Sequence, residues 1–231
     1  MRVITNKKLI RNRARLGRVA SFVGLAVLLL GLVASLYPQW ILASFGCLVV
    51  GFVLSQVGIY NANRWVKQPR ADQKLDKILK GFDDRYQLYN YVLPVPHVLL
   101  APFGLCVITP RDQRGKVRCR GEKWRHLAGW SRILRFFGQE GLGNPTKEVR
   151  ADVEKLRRFL AKRFPGNEVP IEGVVVFTNP EVDLEIEDPT VPVLDGKRFK
   201  SFLRDLSKQR PIPASQRKQL AEVLAEEVPE D

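Results

Sequence analysis

Histidine is almost absent from these 231 residues: His97 and His126 are the only two. Neither has a Cys or a second His at zinc-ligand spacing, so each reads as a structural side chain and a Cys/His metal centre is excluded. Cysteine is scarce as well. Cys47, Cys106 and Cys119 are odd in number and widely spaced, which excludes a disulfide scaffold and points to free thiols in a reducing compartment. No G-x-S-x-G turn occurs, and neither Cys106 nor Cys119 has a neighbouring His to activate it, so nucleophilic catalysis has no local signature. The longest absence is of charge. Residues 19–63 contain no Asp, Glu, Lys, Arg or His; seven of the 38 basic residues precede that stretch, and the other 31 follow it with all 24 acids. A uniformly soluble chain and a disordered one are both excluded.

What fills the uncharged stretch is mostly Leu, Val, Ala, Phe, Gly and Ser, in two segments, 21–37 and 41–60. A bilayer core of roughly 30 Å takes about 20 helical residues, within a range of about 17–25. Both segments qualify. Pro38 and Gln39 separate them, and Tyr37, Trp40 and Tyr60 stand at their ends, where amphipathic rings favour the headgroup layer. The segments read as a transmembrane helical hairpin, because a helix satisfies its own backbone in lipid. A cleaved signal peptide would not be followed so soon by a second apolar segment, and a hairpin in a soluble core would carry a polar stripe. Arg2, Lys7, Lys8, Arg11, Arg13, Arg15 and Arg18 precede the hairpin, Arg64, Lys67, Arg70 and Lys74 follow it, and the loop between the spans is uncharged. The positive-inside bias predicts an integral membrane protein with two spans and with both termini and the soluble domain cytoplasmic. The same flanks suit anionic headgroups, at about 1 kcal/mol per Lys or Arg near the surface.

The chain divides into a basic arm over residues 1–20, the hairpin over 21–60, a linker over 61–70 and an α/β domain over 71–208, followed by a helix and acidic tail over 209–231. Within the domain, helical spacing of Leu75, Ile78 and Leu79 predicts a first helix ending at Gly81. Strands are predicted over 86–93, 98–100, 105–108 and 116–120, with a tight turn at Ala101-Pro102-Phe103-Gly104. Residues 125–137 fit no single element. Asn144-Pro145 opens a long helix, the capping side chain followed by proline at the first helical position. Strands over 172–177, 182–187 and 191–194 and a helix over 197–207 complete the pattern, with Ser215 expected to cap the last helix. A mixed sheet with helices packed on it is the expected architecture.

Three features carry candidate chemistry. Gly138, Gly141 and Gly143 precede a helix but lack the strand–glycine–helix spacing of a phosphate loop, and read as a flexible connection. Glu181, Asp183, Glu185 and Glu187 alternate with apolar residues, either converging on a hard cation or forming the solvated side of an edge strand; the edge strand is the expectation. Arg114, Lys116, Arg118, Arg120, Lys123 and Arg125 interleave with Trp124, and Arg111, Trp130, Arg132 and Arg135 extend the run. Such a segment suits a nucleic-acid backbone and its bases, and equally an anionic membrane surface.

Residues 98–108, Val-Leu-Leu-Ala-Pro-Phe-Gly-Leu-Cys-Val-Ile, resemble the central hairpin of the NERD (nuclease-related) domain. Asn144-Pro145 opening an amphipathic helix resembles the same family, as does Val174-Val175-Val176-Phe177-Thr178-Asn179-Pro180. The three blocks fall in the family's order over about residues 70–205. The resemblance implies a restriction-endonuclease-like fold: a mixed sheet with flanking helices, here preceded by the two-helix hairpin. It also implies an acid opening the hairpin and a Glu-x-Lys ending its second strand, two carboxylates holding a metal beside the scissile phosphate. In this sequence Pro96 stands where the family's Asp would be, Thr109 for the Glu and Arg111 for the Lys. Asp72 matches a helix acid that assists the site, and Asp112 falls one residue beyond the motif. Arg111 cannot deprotonate to serve as a base, and one acid with a hydroxyl is a poor Mg²⁺ site. The expectation is therefore a catalytically inactive, membrane-anchored binding module for nucleic acid or protein, with no small-molecule cofactor. The competing expectation is a Mg²⁺-dependent nuclease whose carboxylates have moved, drawing on Asp72, Asp112 or the 181–187 strand.

Overall fold

The computed structural model describes residues 1–127, 141–166 and 168–229. They form two compact units. Residues 7–70 make a helical hairpin; residues 1–6 and the described residues from 71 onward make the α/β unit.

In the hairpin, α1 (Lys7–Ala34) and α2 (Ile41–Asn61) are joined through a 3₁₀ turn, Pro38–Trp40, and α2 runs into a π-helical turn, Ala62–Val66. Both helices are long and apolar enough to cross a membrane. Twenty-one residues of α2 span about 31 Å at 1.5 Å per residue, the thickness of a bilayer core. Burial is inverted relative to a soluble core. The buried positions of α2 are Ser44, Gly51, Gly58 and Asn61, whereas Phe22, Leu30, Leu36, Leu42, Phe45 and Val49 are all more than 60 % exposed. Small residues let the backbones approach, and the large apolar side chains point outward. α1 begins well before the predicted span and takes in most of the basic arm. Lys, Arg, Leu and Ala, all good helix formers, make up most of residues 7–18 and carry the helix through Asn12 and Gly17.

The α/β unit has a six-stranded sheet in the order β1-β2-β3-β4-β7-β9 and a three-stranded sheet in the order β6-β5-β8. Its strands are β1 (Arg2–Thr5), β2 (Gln87–Asn90), β3 (His97–Ala101), β4 (Gly104–Arg111), β5 (Gly115–Arg120), β6 (Lys123–Leu127), β7 (Ile171–Phe177), β8 (Val182–Glu187) and β9 (Val193–Asp195). The helices are α3 (Ala71–Leu79), α4 (Pro145–Arg163), α5 (Gly196–Gln209) and α6 (Ala214–Ala225). Alternation along the strands sorts the core into two layers. Val98, Leu100, Leu105, Val107, Val175 and Phe177 meet Val149, Leu156 and Leu160 of α4 and Leu220 and Leu224 of α6. Leu88, Leu99, Cys106, Ile108, Val174 and Val176 meet Leu75 and Leu79 of α3 and Phe199 and Leu203 of α5.

The mixed sheet with flanking helices agrees with the sequence-based expectation. Three details depart from it. Residues 2–5 are no free arm but a strand pairing in parallel with β2. β6 starts at Lys123 and runs into the 125–137 segment that the sequence left open, its outward residues alternating with Trp124 and His126. The last helix starts at Ala214 after Pro213, with no side-chain cap from Ser215. Trp130, Arg132, Arg135 and Gly138 lie outside the described residues.

Candidate functional site

The β3–β4 hairpin turns at Gly104, whose φ of +121° and close approach to the Pro170 carbonyl leave no room for a side chain. Beyond the turn β4 pairs in parallel with β7, placing Thr109 beside Val175 and Arg111 beside Phe177. Both partners belong to the core layer under α4, so Thr109 and Arg111 face that helix. Thr109 is 5 % exposed, and its Oγ1 has no hydrogen-bond partner. The Arg111 guanidinium donates from Nη2 to Glu148 Oε2 at 2.5 Å and from Nη1 to the Pro110 carbonyl at 3.2 Å. Its Nε is buried and has no acceptor. Glu148 sits in the first turn of α4, whose N-cap Asn144 accepts from Lys147 N at 3.1 Å. Nothing in the sequence separates this glutamate from a solvated one on an amphipathic helix; only the strand register brings it to Arg111.

The other candidates of this region are divided by the sheet. Asp112 turns to the opposite layer, where Lys74 Nζ of α3 lies 2.5 Å from its Oδ1 and Thr178 Oγ1 donates to it at 3.4 Å. Asp72, 5 % exposed, lies on α3 in that same layer. Pro96 is half-buried and precedes β3 by one residue. Beside it, the buried His97 shares a 2.8 Å hydrogen bond between its Nδ1 and Asn90 Oδ1, and Asn90 Nδ2 donates to Thr5 Oγ1 at 3.2 Å.

A divalent metal does not suit the residues beside Thr109. The donors facing α4 are a hydroxyl and a guanidinium, with one carboxylate already engaged by that guanidinium. Among the described residues, no group of three His, Cys, Asp or Glu side chains is arranged to hold a metal ion.

The basic segment and the acidic alternation, separate features in the sequence, meet in the three-stranded sheet. β5 and β8 pair in parallel with Lys116 opposite Asp183, Arg118 opposite Glu185 and Arg120 opposite Glu187. Glu185 pairs with both Lys116 and Arg118, the latter at 2.6 Å; Arg120 pairs with Glu187 at 2.6 Å and Arg114 with Glu181 at 3.7 Å. The hydrogen bond from Lys116, seconded by that from Arg118, holds the Glu185 carboxyl below the usual carboxylate range. On β6, Lys123 stands opposite Arg120 and Arg125 opposite Arg118, both exposed. Trp124 turns inward: its Nε1 donates to the fully buried Thr146 Oγ1 at 2.9 Å, and its ring stacks on Phe177 at 6.0 Å. Burial pushes the thiols of Cys106 and Cys119 up, away from the reactive thiolate.

Residues 67–178 match the family model described as the nuclease-related domain, NERD. No curated protein and no solved structure matches the chain.

Proposed function

We propose that the nuclease-related domain matched by residues 67–178 serves here as a non-cleaving nucleic-acid-binding module, anchored by the hairpin at the cytoplasmic face of a membrane. The observation that carries this reading is the state of the hairpin-end positions. Pro96, Thr109 and Arg111 stand where the resemblance implies Asp and Glu-x-Lys, and Arg111 is engaged by Glu148. A buried hydroxyl and a permanently charged guanidinium offer neither the paired carboxylates nor the titratable amine of metal-assisted hydrolysis. The matched family model is described as nuclease-related, and the chain carries an excess of basic residues after the hairpin, 31 against 24 acids.

Chain connectivity supports the anchoring. β1 precedes α1, and α3 follows the hairpin, yet β1 and β2 belong to one sheet. The hairpin therefore leaves and re-enters the same folded unit, which favours a double crossing with both ends on one side of a bilayer. Basic flanks at both ends and none between favour the cytoplasmic side.

The full chain in detergent micelles, incubated with labelled single- and double-stranded DNA and RNA, tests the reading. Binding without cleavage in Mg²⁺ or Mn²⁺, falling steeply with salt, is the expected result. Metal-dependent cleavage abolished by Asp72→Ala or Asp112→Ala would replace it with a nuclease of moved carboxylates. No binding at physiological salt would leave a protein as the ligand.

A further inference from the structure

The geometry points to a phosphate-binding site at the end of β4, in which Arg111 takes the place of a metal ion and Glu148 occupies the position of the anion until one arrives. This deepens the binding reading above and rests on it for the source of the phosphate, a nucleic-acid strand. The site begins with what is unsatisfied. A buried polar atom without a partner costs roughly 1–3 kcal/mol, and two such atoms, Thr109 Oγ1 and Arg111 Nε, occur on one face of one strand. Both lie on the strand face turned to α4, and the first turn of that helix supplies the carboxylate that reaches Arg111. The present occupant serves this cluster badly. Glu148 touches Arg111 through a single oxygen on Nη2 and leaves Nε empty.

Nε and Nη2 are the two parallel donors with which arginine holds a phosphate or carboxylate bidentately. An oxyanion set squarely on that edge would fill both donors and bring a further oxygen toward the Thr109 hydroxyl. Glu148 is 51 % exposed at its side chain, against 14 % for Arg111, so the carboxylate is the partner free to rotate outward while the guanidinium stays. Displacing it exchanges one hydrogen bond to a charged group for two. The site thus recognises a phosphoryl group directly through protein donors, the opposite sign of chemistry from a carboxylate pair that recognises it through a cation.

The experiment uses the full chain in detergent micelles with two probes, inorganic phosphate and a short single-stranded DNA with or without a 5′-phosphate. Glu148→Gln keeps the size of the side chain and removes the competing charge; affinity for inorganic phosphate is expected to rise about tenfold, the worth of one hydrogen bond to a charged group. Glu154→Gln removes the same charge from the same helix, where it pairs Arg157 and Arg158, and is expected to leave phosphate affinity where it was. Arg111→Lys keeps the charge without the fork and is expected to lose the phosphate response. A gain of affinity in Glu148→Gln cannot come from misfolding, so the test survives an unstable Arg111 variant. The inference is overturned if Glu148→Gln binds phosphate no better than Glu154→Gln. If DNA binds but ignores the Glu148 substitution, the site falls and the nucleic-acid module stands. If phosphate responds and DNA with either end does not bind, the site stands and the strand is not its source.

Discussion

Adding one methyl group at Gly58 should push the two hairpin helices apart. Gly17, Gly24 and Gly31 of α1 face Asn61, Ser55 and Cys47 of α2, and Gly51 and Gly58 face Leu28 and Ser21 in return. A Cβ built on Gly58 would stand 2.6 Å from Ser21 N and 2.8 Å from Ser21 Cα. These are backbone atoms of α1, so relief requires a helix to move. Overpacking of this kind costs about 1–3 kcal/mol, set against the gain of up to about 1 kcal/mol that Ala has over Gly in a helix. Gly46 on the same helix supplies the reference, because a Cβ there meets nothing within 4 Å. Gly46→Ala keeps the propensity gain without the clash, so the difference between the two variants isolates the clash at about 1–3 kcal/mol. SDS titration of the full chain in mixed micelles, read by pulse proteolysis, gives the midpoint of each. Equal midpoints for Gly58→Ala and Gly46→Ala would refute close contact between the spans.

Trp124→Phe leaves the buried Thr146 hydroxyl without its donor and should cost about 1–3 kcal/mol in urea unfolding, with the further change Thr146→Val restoring part of it. The ion pairs of β5 and β8 give the three-stranded sheet an acid-sensitive contribution. Because Lys116 and Arg118 hold the Glu185 carboxyl down in the folded state, that contribution is present above the ordinary carboxylate range and is lost as pH falls through the folded value. Urea midpoints between about pH 7 and pH 3 should decline at the acid end, less so in Glu185→Gln. Reporter fusions after Gln39 and after Asp231 should report opposite sides of the membrane, the second cytoplasmic; an external signal from the second would overturn the orientation.

Features whose cause is local could be read from the sequence. The second apolar segment, the Pro102-Phe103 turn, and the Asn144-Pro145 start of α4 each depend on residues within a few positions of one another, and each stands where it was expected. What escaped depends on register. β1 is four residues beside a basic run, and its partner lies beyond the hairpin, more than eighty positions away. The basic segment and the acidic alternation looked like two surfaces because nothing local says that β5 and β8 lie side by side.

The same dependence on register explains why the candidate pocket changed shape between sequence and structure. Alternation alone requires Arg111 and Asp112, adjacent in sequence, to leave β4 on opposite faces. Each then finds an opposite charge from a different helix, Glu148 of α4 for one and Lys74 of α3 for the other. A single pocket drawing on Asp72, Thr109, Arg111 and Asp112 together would need the strand to bend or bulge at its end, and β4 instead keeps its pairing with β7 through Arg111. The acids α3 holds are therefore kept away from the α4 face by the sheet itself. What remains on that face is a guanidinium and a hydroxyl with one half-exposed carboxylate, an arrangement suited to an anion and unsuited to a divalent cation.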